Sequence, residues 1–575
     1  MSSTDKTNKV IVVYDETTKD VTINLRYVNA EFNIDRYFNF QRKSTESCGR
    51  VLGRMSDNIV KIIAKKMKKR GSKPVEIKVT LVTKEDGKEY DVGNQSCLEA
   101  FIKTNKNNLR IGSEDYSFLI NPPLLMLLEL PKKNIMAGFL VYPSKLEGLN
   151  CDVKDTILKW YRSKEKFETY KMTKNYDLKT LDWEEVGEGL SFLTSVDDVS
   201  RLLKVVGTPY KGNIKGIESE SIFNSLISAG PGPCPFEKRH MFTSEILDKK
   251  YLRVLSYNIL ADMYADSDYS RTTLFPSCPP YALEIEYRKQ LFIKEIIGYK
   301  ADLICLQEVD EKVFLRDLQP VLLNYGLEGV FKTKGGPSVS EGLATFYRTD
   351  KMILKDKYNF LLCQELQINP LFGDLLKKVR LSPNLYEAFL KRTTIVQVNV
   401  FARRECPTQL LVVGVTHLYF DPISDHIRLL QAGMCLTLLT QIMDIIKHED
   451  PRNDVSLLFC GDFNSVPENA VYRLMTSQLI DEKDEDWRSK PGEELRKVSF
   501  SHDLEIGSAC GTPAYTNYTL GFQGCLDYIF YQSDKFSVKQ MIPFPSHEEV
   551  TQHGALPSIT FPSDHIALVA DLEWK

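Results

Sequence analysis

The stretch SLLFCGDFN, residues 456–464, is a short apolar run that ends in the polar side chains of Asp462 and Asn464. Runs of this kind are typical of buried strands, and ligand sites in α/β proteins lie where such strands end. Similar runs occupy much of the chain after Tyr251, at residues 252–260, 303–308, 343–347, 410–417, 525–531 and 565–574. Apolar residues at helical spacing lie between them, at 281–299 and 425–447. The alternation predicts an α/β catalytic domain over residues 250–575.

The start of the chain has a different pattern, in which strand-like segments dominate. Two apolar-rich segments flank a polar turn within residues 9–27, which predicts a hairpin. Apolar positions at helical spacing predict a helix over residues 48–70. These features predict an N-terminal domain over residues 1–130 that is α+β and rich in strands.

A second strand-rich segment follows, and it carries Trp160 on an early strand. A buried tryptophan in that place favours an immunoglobulin-like β-sandwich over residues 135–229, although the two cysteines expected of such a domain are missing. Glycine and proline then alternate in Gly230–Pro235. Such a cluster ends regular structure, so residues 230–249 are predicted to be a linker.

Length and composition indicate a multidomain globular protein. The chain has 575 residues, too many for one ordinary core at about 150 residues per domain. Hydrophobic residues make up 43% and charged residues 26%, which is ordinary globular usage. The net charge of -3 disfavours a protein that holds long duplex DNA, so a phosphate-bearing substrate is expected to be short, single-stranded or held through a metal.

The cysteines and the N-terminus predict a reducing compartment. The 12 cysteines include no CxxC pair and several lie in apolar runs, so they are interpreted as buried thiols without a zinc site. No run of 18 apolar residues occurs, which argues against a membrane span. The first residues offer no apolar signal core, and the early Asp5 and Asp15 argue against a mitochondrial presequence. From these residues alone the expected location is cytoplasmic.

Six segments carry the side chains that could perform chemistry. They are Ser256–Leu260, Leu306–Val309, Thr416–Leu418, Gly461–Asn464, Leu526–Phe530 and Ser563–His565. In this order they resemble the motif set of the endonuclease/exonuclease/phosphatase superfamily over nearly all of residues 251–575. The deadenylase branch of that superfamily is similar at Ser256–Asp262, Gly342–Tyr347 and Asp527–Phe530. Its 2′,5′-phosphodiesterases are similar at Ala229–Gly232, Ala514–Tyr518, Gly524–Asp527 and Pro545–Thr551.

The resemblance implies a catalytic α/β-sandwich of two packed sheets flanked by helices. It also implies a Mg²⁺-dependent 3′-to-5′ exoribonuclease that removes adenylates from 2′,5′-oligoadenylate and from poly(A) tails and releases AMP. A strictly 3′,5′ deadenylase, a lipid or inositol phosphatase and a non-catalytic RNA-binding scaffold remain as alternatives. The expected partners are these RNA substrates, with no membrane and no predictable protein partner. The similar enzymes imply the mitochondrial matrix, in disagreement with the N-terminus.

Glu308 is predicted to be a metal ligand because it ends a buried run, where an unpaired carboxylate would be costly. Mg²⁺ prefers one or two carboxylates together with water and substrate phosphate. The alternative is a carboxylate in a buried ion pair. Asp564 is expected beside the metal or at the phosphate.

Asp462 and Asn464 are predicted to project to one face of an extended strand end. There the carboxylate could orient or deprotonate water, and the amide could donate to a phosphate oxygen. The resemblance implies that His417 stabilises charge on the phosphate as the transition state forms, although a lone histidine is often structural.

Asp527 and His565 are similar to a pair in which the carboxylate fixes the imidazole tautomer and raises its basicity. A structural ion pair is the alternative. Asn258 is expected to hold the phosphate or a metal-bound water, unless it satisfies a neighbouring backbone group.

Substrate choice is expected from side chains around this centre. Phe522 matches the aromatic residue that stacks on an adenine in the deadenylase branch, with packing in a loop as the alternative. Pro422 and Arg428 follow His417 and are candidates for the base or phosphate pocket. A helix-initiating proline and an exposed arginine would explain them almost as well.

Overall fold

The protein is described by a computed structural model that covers residues 8–68, 77–104, 107–169, 178, 180–335 and 340–575. The chain divides into two compact units. The first comprises residues 1–129, 145–159 and 205–221, and the second comprises residues 130–144, 160–204 and 222–575.

The first unit contains a six-stranded sheet. Its strand order is Ile34–Lys43, Asp20–Asn29, Lys9–Asp15, Glu114–Ile120, Asn107–Ile111 and Val79–Thr83. The predicted hairpin is confirmed, because Val10 pairs with Leu25 in an antiparallel ladder. The helix runs over Cys48–Lys68, and the remaining predicted helical residues, 69 and 70, lie outside the described residues. Val51, Met55 and other apolar residues of this helix are buried in one core with the sheet.

Strands continue through the region where an immunoglobulin-like sandwich is predicted. They are Leu140–Val141, Lys145–Leu149, Ile157–Ser163, Trp183–Glu188, Phe192–Leu193, Leu203–Thr208, Tyr210–Lys211, Ile214–Lys215 and Ser219–Ile222. Trp160 is fully buried, as the sequence suggests. The immunoglobulin-like sandwich and the boundaries at residues 130, 135, 229 and 249 stay predictions.

Two six-stranded sheets form the centre of the second unit. The first sheet has the order Leu327–Thr333, Glu341–Arg348, Leu303–Asp310, Tyr251–Asn258, Leu568–Trp574 and Phe536–Met541. The second sheet has the order Met352–Leu361, Ile395–Arg403, Cys406–His417, Asp454–Asp462, Asp527–Gln532 and Ile506–Ser508. One apolar cluster joins residues of both sheets, among them Val254 and Leu458, so the sheets pack face to face. The predicted catalytic α/β-sandwich is confirmed.

Helices cover the outer faces of both sheets. Those of the second unit are Pro235–His240, Asp262–Ala265, Pro280–Leu283, Ile285–Gly298, Glu311–Val313, Gln319–Leu323, Leu362–Ile368, Gly373–Val379, Pro383–Leu390, Asp425–Glu449, Ala470–Ser477 and His547–Thr551. The single helix predicted over 281–299 is wrong, because Glu284 has an extended backbone (φ −59°, ψ 136°) that separates two helices.

The helix Asp425–Glu449 confirms the prediction over 425–447 and extends it by two residues. Within the described parts of the chain it is the one helix long and apolar enough to cross a membrane. In the most apolar 18-residue stretch of this helix, 72% is buried inside the protein. Its apolar residues share a core with the second sheet, so in this structure it is a core helix.

Candidate active site

The topology brings six predicted side chains to one edge of the sandwich. Strand Tyr251–Asn258 runs parallel to Leu303–Asp310, and Cys406–His417 runs parallel to Asp454–Asp462, so the carboxyl ends of each pair lie together. Asp527–Gln532 and Leu568–Trp574 are antiparallel to these strands, so their first residues reach the same edge. The residues gathered there are Asn258, Glu308, His417, Asp462, Asp527 and His565.

Pairing within the second sheet aligns three of them. His417 is opposite Asp462, and Asp462 is opposite Asp527. Side chains of directly opposite residues lie on the same face of a sheet. The central carboxylate oxygen, Asp462 Oδ2, is 3.6 Å from Nε2 of His417 and 3.6 Å from Nε2 of His565. One oxygen atom therefore faces both imidazole rings.

Asn258 connects the two sheets at this edge. Its Nδ2 donates to Glu308 Oε1 at 3.0 Å and to Asp462 Oδ2 at 3.1 Å. The other oxygen of Glu308 accepts from the backbone N–H of Ala261 at 3.0 Å. Because Glu308 accepts these bonds from neutral donors, its negative charge is not neutralised by them. The charge of Lys334 favours the ionised form of Glu308, as a bound cation would.

Asp527 and His565 form the predicted pair. Asp527 Oδ2 accepts from His565 Nδ1 at 2.8 Å and also from Thr516 Oγ1 at 2.6 Å. The Thr516 hydroxyl in turn accepts from the backbone N–H of Asp527 at 3.1 Å. These bonds fix the carboxylate, so the imidazole keeps its protonated Nδ1 towards Asp527 and turns Nε2 towards Asp462.

Asp564 is positioned by two polar side chains. Asn517 Nδ2 donates to Asp564 Oδ2 at 3.1 Å, and Ser563 Oγ lies 3.5 Å from Asp564 Oδ1. Ser563 also donates to the carbonyl of Asn258 at 2.7 Å, which ties this loop to the first sheet. Asp564 lies in the lining of the same pocket as Glu308.

The extended geometry predicted from Asp462 to Asn464 is wrong. The strand ends at Asp462, and Asn464 has a left-handed φ of 47°. The backbone N–H of Asn464 donates to Asp462 Oδ1 at 2.9 Å, while Asn464 Nδ2 donates to the carbonyl of Leu418 at 3.0 Å. Asn464 still lines the pocket, but one of its amide hydrogens is occupied by the backbone.

Burial sets the protonation tendencies of the carboxylates. Burial, together with repulsion from Asp564 and Glu341, raises the pKa of Glu308 to about 7. Burial and the charge of Asp527 raise the pKa of Asp462 to about 6. A bound cation would offset both effects, since it favours the charged form of each carboxylate.

The pKa values of the two histidines are shifted in opposite directions. Burial and the neighbouring Lys334 hold the pKa of His417 well below its usual range. Burial opposes the charged form of His565 as well, but Asp527 and Asp462 raise its pKa well above the usual value. His417 is therefore the neutral ring and His565 the ring that holds a proton, which is the pattern that separates roles in acid–base sites.

Two sets of side chains could hold a metal ion. Atoms of Asp462, Asp527 and His565 lie within 4.8 Å of one another. In that set Asp527 and His565 already bond to each other at 2.8 Å, so binding there would break the pair. Glu308 and Asp564 offer only oxygen atoms, which hard cations such as Mg²⁺ and Ca²⁺ prefer.

The side chains surround a pocket of about 530 Å³. Phe522 and Pro422 line it, as predicted, and the Phe522 side chain is 45% exposed. An exposure of 45% leaves part of the ring free to contact a ligand. Phe522 lies in the short hairpin formed by Asn517–Tyr518 and Gln523–Gly524.

Arg428 has a different place from the one predicted. It is 2% exposed and is not among the residues that line the pocket, so neither substrate contact nor an exposed side chain describes it. Its guanidinium donates to the carbonyls of Tyr419 and Pro422, each at 3.1 Å, and to that of Asp421. Arg428 also pairs with Asp425 at 2.5 Å. It therefore fixes the loop that carries Pro422.

Several pocket residues escape the sequence reasoning. Lys334 Nζ lies 3.0 Å from His417 Nδ1 and 3.0 Å from Glu341 Oε1, and Tyr264 donates to the same Glu341 oxygen at 3.3 Å. Thr516 is not in the pocket lining, but it supports Asp527 and is likewise absent from the predicted residues. Glu341 is a carboxylate at the start of a buried strand. A carboxylate at the end of a buried run is the signal that identifies Glu308, and the same signal could have identified Glu341.

Comparisons with known proteins show to which family the chain is similar. The Endonuclease/Exonuclease/phosphatase family matches residues 255–565. The chain is 40% identical to the 2′,5′-phosphodiesterase 12 of Bos taurus and 39% identical to that of Homo sapiens, in each case over 93% of this chain and 90% of the relative. It is 31% identical to the CCR4-Not complex 3′-5′-exoribonuclease subunit Ccr4 of Candida albicans, over 56% of this chain and 41% of that protein.

The site and fold define a phosphodiesterase of the nuclease type, built on a two-sheet sandwich. The chain belongs to the Endonuclease/Exonuclease/phosphatase family. Enzymes of this family depend on a metal, and the acidic and imidazole groups at the edge of the sheets form a possible metal site here.

Proposed function

We propose that the protein is a Mg²⁺-dependent 3′-to-5′ exoribonuclease that removes adenylates from 2′,5′-oligoadenylate and from 3′,5′-linked poly(A), and releases AMP. The observation that carries the proposal is the alignment of His417, Asp462 and Asp527 on neighbouring strands beside Glu308. The relatives named above support it, since they are called a 2′,5′-phosphodiesterase and a 3′-5′-exoribonuclease.

In the proposed reaction, water attacks the phosphodiester in line, an O–P bond forms, and the bond from phosphorus to the retained nucleoside breaks. Bound Mg²⁺ would supply neutralisation of the charge that develops on the phosphate. Glu308 would hold the ion with Asp564, because both offer carboxylate oxygens in a buried pocket.

Protein groups would move the protons. Asp462 Oδ2 and His565 Nε2 are 3.6 Å apart and form the pair that takes a proton from water and supplies one to the leaving oxygen. Asp527 stabilises the charged ring through its bond to Nδ1. His417 would donate from Nε2, because its Nδ1 faces the Lys334 ammonium at 3.0 Å. Asn258 fixes Glu308 and Asp462 relative to each other.

Adenine choice is assigned to Phe522, with Pro422 in the same pocket. A flat exposed ring is suited to stack on a base, and stacking contributes about 1–3 kcal/mol per base. Arg428 contributes through the loop that it anchors rather than through the substrate.

Linkage choice is tested by comparing 2′,5′-linked and 3′,5′-linked tetra-adenylate with the purified protein and Mg²⁺. The proposal expects AMP from both substrates. Cleavage of only the 3′,5′-linked oligomer would favour a strict 3′,5′ deadenylase, which the similarity to Ccr4 also supports. Glu308→Gln serves as the control for contaminating nucleases, since it should abolish release of AMP from both.

We also propose the mitochondrial matrix as the site of action, on the resemblance alone. Fractionation of cells that express the natural full-length protein tests this. Recovery from the cytosol alone would contradict the proposal and agree with the expectation from the N-terminal residues.

A further inference from the structure

Phe420 is a large aromatic side chain that lies open to solvent at the mouth of the pocket. It is 71% exposed and lines the pocket together with Tyr419, Lys391 and Arg392. Single exposed apolar residues are common, and exposure alone does not indicate a binding site. What distinguishes Phe420 is its position between His417 and Pro422 on a loop that the protein holds in place.

The loop is held by several partly buried hydrogen bonds. Arg428 donates to the carbonyls of Tyr419 and Pro422 on either side of Phe420. The backbone N–H of Tyr419 donates to Gln431 Oε1 at 3.0 Å, and Ser424 Oγ donates to Asp421 Oδ2 at 2.7 Å. These bonds hold the backbone of the loop in one conformation, which lowers the entropy cost of ordering the loop around a ligand.

The sheet order separates Phe420 from Phe522. The Phe420 loop follows strand Cys406–His417, and the Phe522 hairpin precedes strand Asp527–Gln532. Strand Asp454–Asp462 lies between these two strands and ends in Asp462. Neighbouring strands are about 4.8 Å apart, so the two aromatic loops start roughly 10 Å apart, on opposite sides of the central carboxylate.

A phosphodiester undergoing cleavage also has two sides, since one nucleoside leaves and the other is retained. We propose that Phe420 stacks on the base of the retained nucleotide, next to the terminal adenylate that Phe522 binds. The inference rests on the proposed function. Lys391 and Arg392 line the same side of the pocket, and the Arg392 guanidinium lies 4.1 Å from the Tyr419 ring centre. Cations beside an exposed aromatic ring are the usual partners of a single-stranded nucleic acid.

The experiment compares two substrates that differ only on the retained side. The methyl ester of 5′-AMP has the terminal adenine and no ring on the retained side, whereas 2′,5′-diadenylate has both bases. Phe420→Ala should lower kcat/KM on the diadenylate about tenfold more than on the ester. Phe522→Ala should lower kcat/KM on both substrates by similar factors. Phe420→Trp should keep the diadenylate activity of the wild-type protein, because any flat aromatic side chain at this position can stack on a base.

Two controls complete the design. Ile423→Ala removes a 57% exposed side chain from the same loop that is not among the pocket residues, and it should change the two substrates equally. The second control is a diadenylate whose retained nucleotide is abasic. Loss of that base should lower the kcat/KM of the wild-type protein about tenfold and that of Phe420→Ala much less.

Equal losses on the two substrates after Phe420→Ala, or no loss on either, would overturn the subsite. Equal losses would mean that Phe420 shapes the pocket for the terminal nucleotide instead. A wild-type protein that cleaves the ester but not the diadenylate would overturn the proposed function, and the subsite with it.

Discussion

His565 Nδ1 donates to Asp527 Oδ2 at 2.8 Å, while His565 Nε2 lies 3.6 Å from Asp462 Oδ2. The ring thus lies between the carboxylate of Asp527, which fixes its orientation, and the carboxylate of Asp462. The side chains of all three residues are 6% exposed or less, so the charges act on each other with little screening by water. This arrangement makes the protonation of His565 the quantity on which the rate should depend.

Asp527→Asn should lower kcat by about a hundredfold or more and should weaken substrate binding far less. The amide fills the same space but cannot stabilise the charged ring, and acid–base catalysis contributes about 10²–10⁴ to a rate. Because Asp527 raises the pKa of His565, the limb of the pH–rate profile that reports this ring should move to lower pH. Profiles of kcat and kcat/KM measure this, with the exposed Asp534→Asn as the control. An unmoved profile with normal turnover would exclude the pair.

Glu308→Ala should abolish activity and leave the fold intact. The substitution removes the proposed carboxylate ligand of Mg²⁺, and Asp564 alone should not retain the ion. Activity against Mg²⁺ concentration and thermal melting check the two parts of the prediction. Glu311→Ala changes an exposed carboxylate of the same segment and should behave as wild type. Near-normal turnover of Glu308→Ala at limiting Mg²⁺ would refute the metal assignment.

Removing the metal should make stability depend on pH between about 4.5 and 7. The pKa of Glu308 is raised from 4.5 to about 7, so the stabilisation is complete below pH 4.5 and is lost as pH rises through 7. In EDTA the free energy of unfolding should fall by up to about 3 kcal/mol across this range. Denaturant unfolding at several pH values measures the fall.

The same unfolding measurements on Glu308→Gln show whether Glu308 causes the fall in stability. The variant should lose most of the fall, and the slope that remains reports the other buried groups with shifted pKa values, among them Asp462 and His565. Mg²⁺ should restore the stability of the wild-type protein at high pH, because a cation favours the charged carboxylate. An equal slope in both proteins would show that Glu308 does not titrate there.

Phe522→Ala should weaken the binding of adenylate oligomers about tenfold or more, following the loss of about 1–3 kcal/mol of stacking. The preference for adenylate over uridylate oligomers should shrink, because adenine has the larger ring face. Chemistry at the phosphate should suffer less, since Glu308, Asp462 and His565 are unchanged. The constants kcat and KM for both oligomers in both proteins test this. If all of them are unchanged, Phe522 only packs, and Pro422 is the next candidate.

The catalytic strands could be predicted because their signal is local. Buried runs that end in Asn258, Glu308, His417 and Asp462 identify strand ends without any knowledge of pairing. The sequence cannot show which strands are neighbours, and strand order is what puts His417, Asp462 and Asp527 side by side. Only the family resemblance linked those residues in advance.

Backbone strain accounts for what was missed around Asp462. Leu260, Glu308 and Asn464 all have positive φ, of 58°, 55° and 47°. Such conformations are unfavourable for residues other than glycine and occur where the surrounding structure enforces them. Propensity therefore predicts an extended chain at Asn464, whereas hydrogen bonds to Asp462 and Leu418 hold it in a turn. The burial of Arg428 is likewise a tertiary effect, because its partners are carbonyls of a loop.

The order of products from 5′-labelled 2′,5′-tetra-adenylate with Mg²⁺ tests the central claim most directly. A 3′-to-5′ exonuclease should give labelled trimer first and dimer next, with one AMP released at each step. Dimer as the first labelled product, inorganic phosphate in place of AMP, or an intact tetramer would contradict the account.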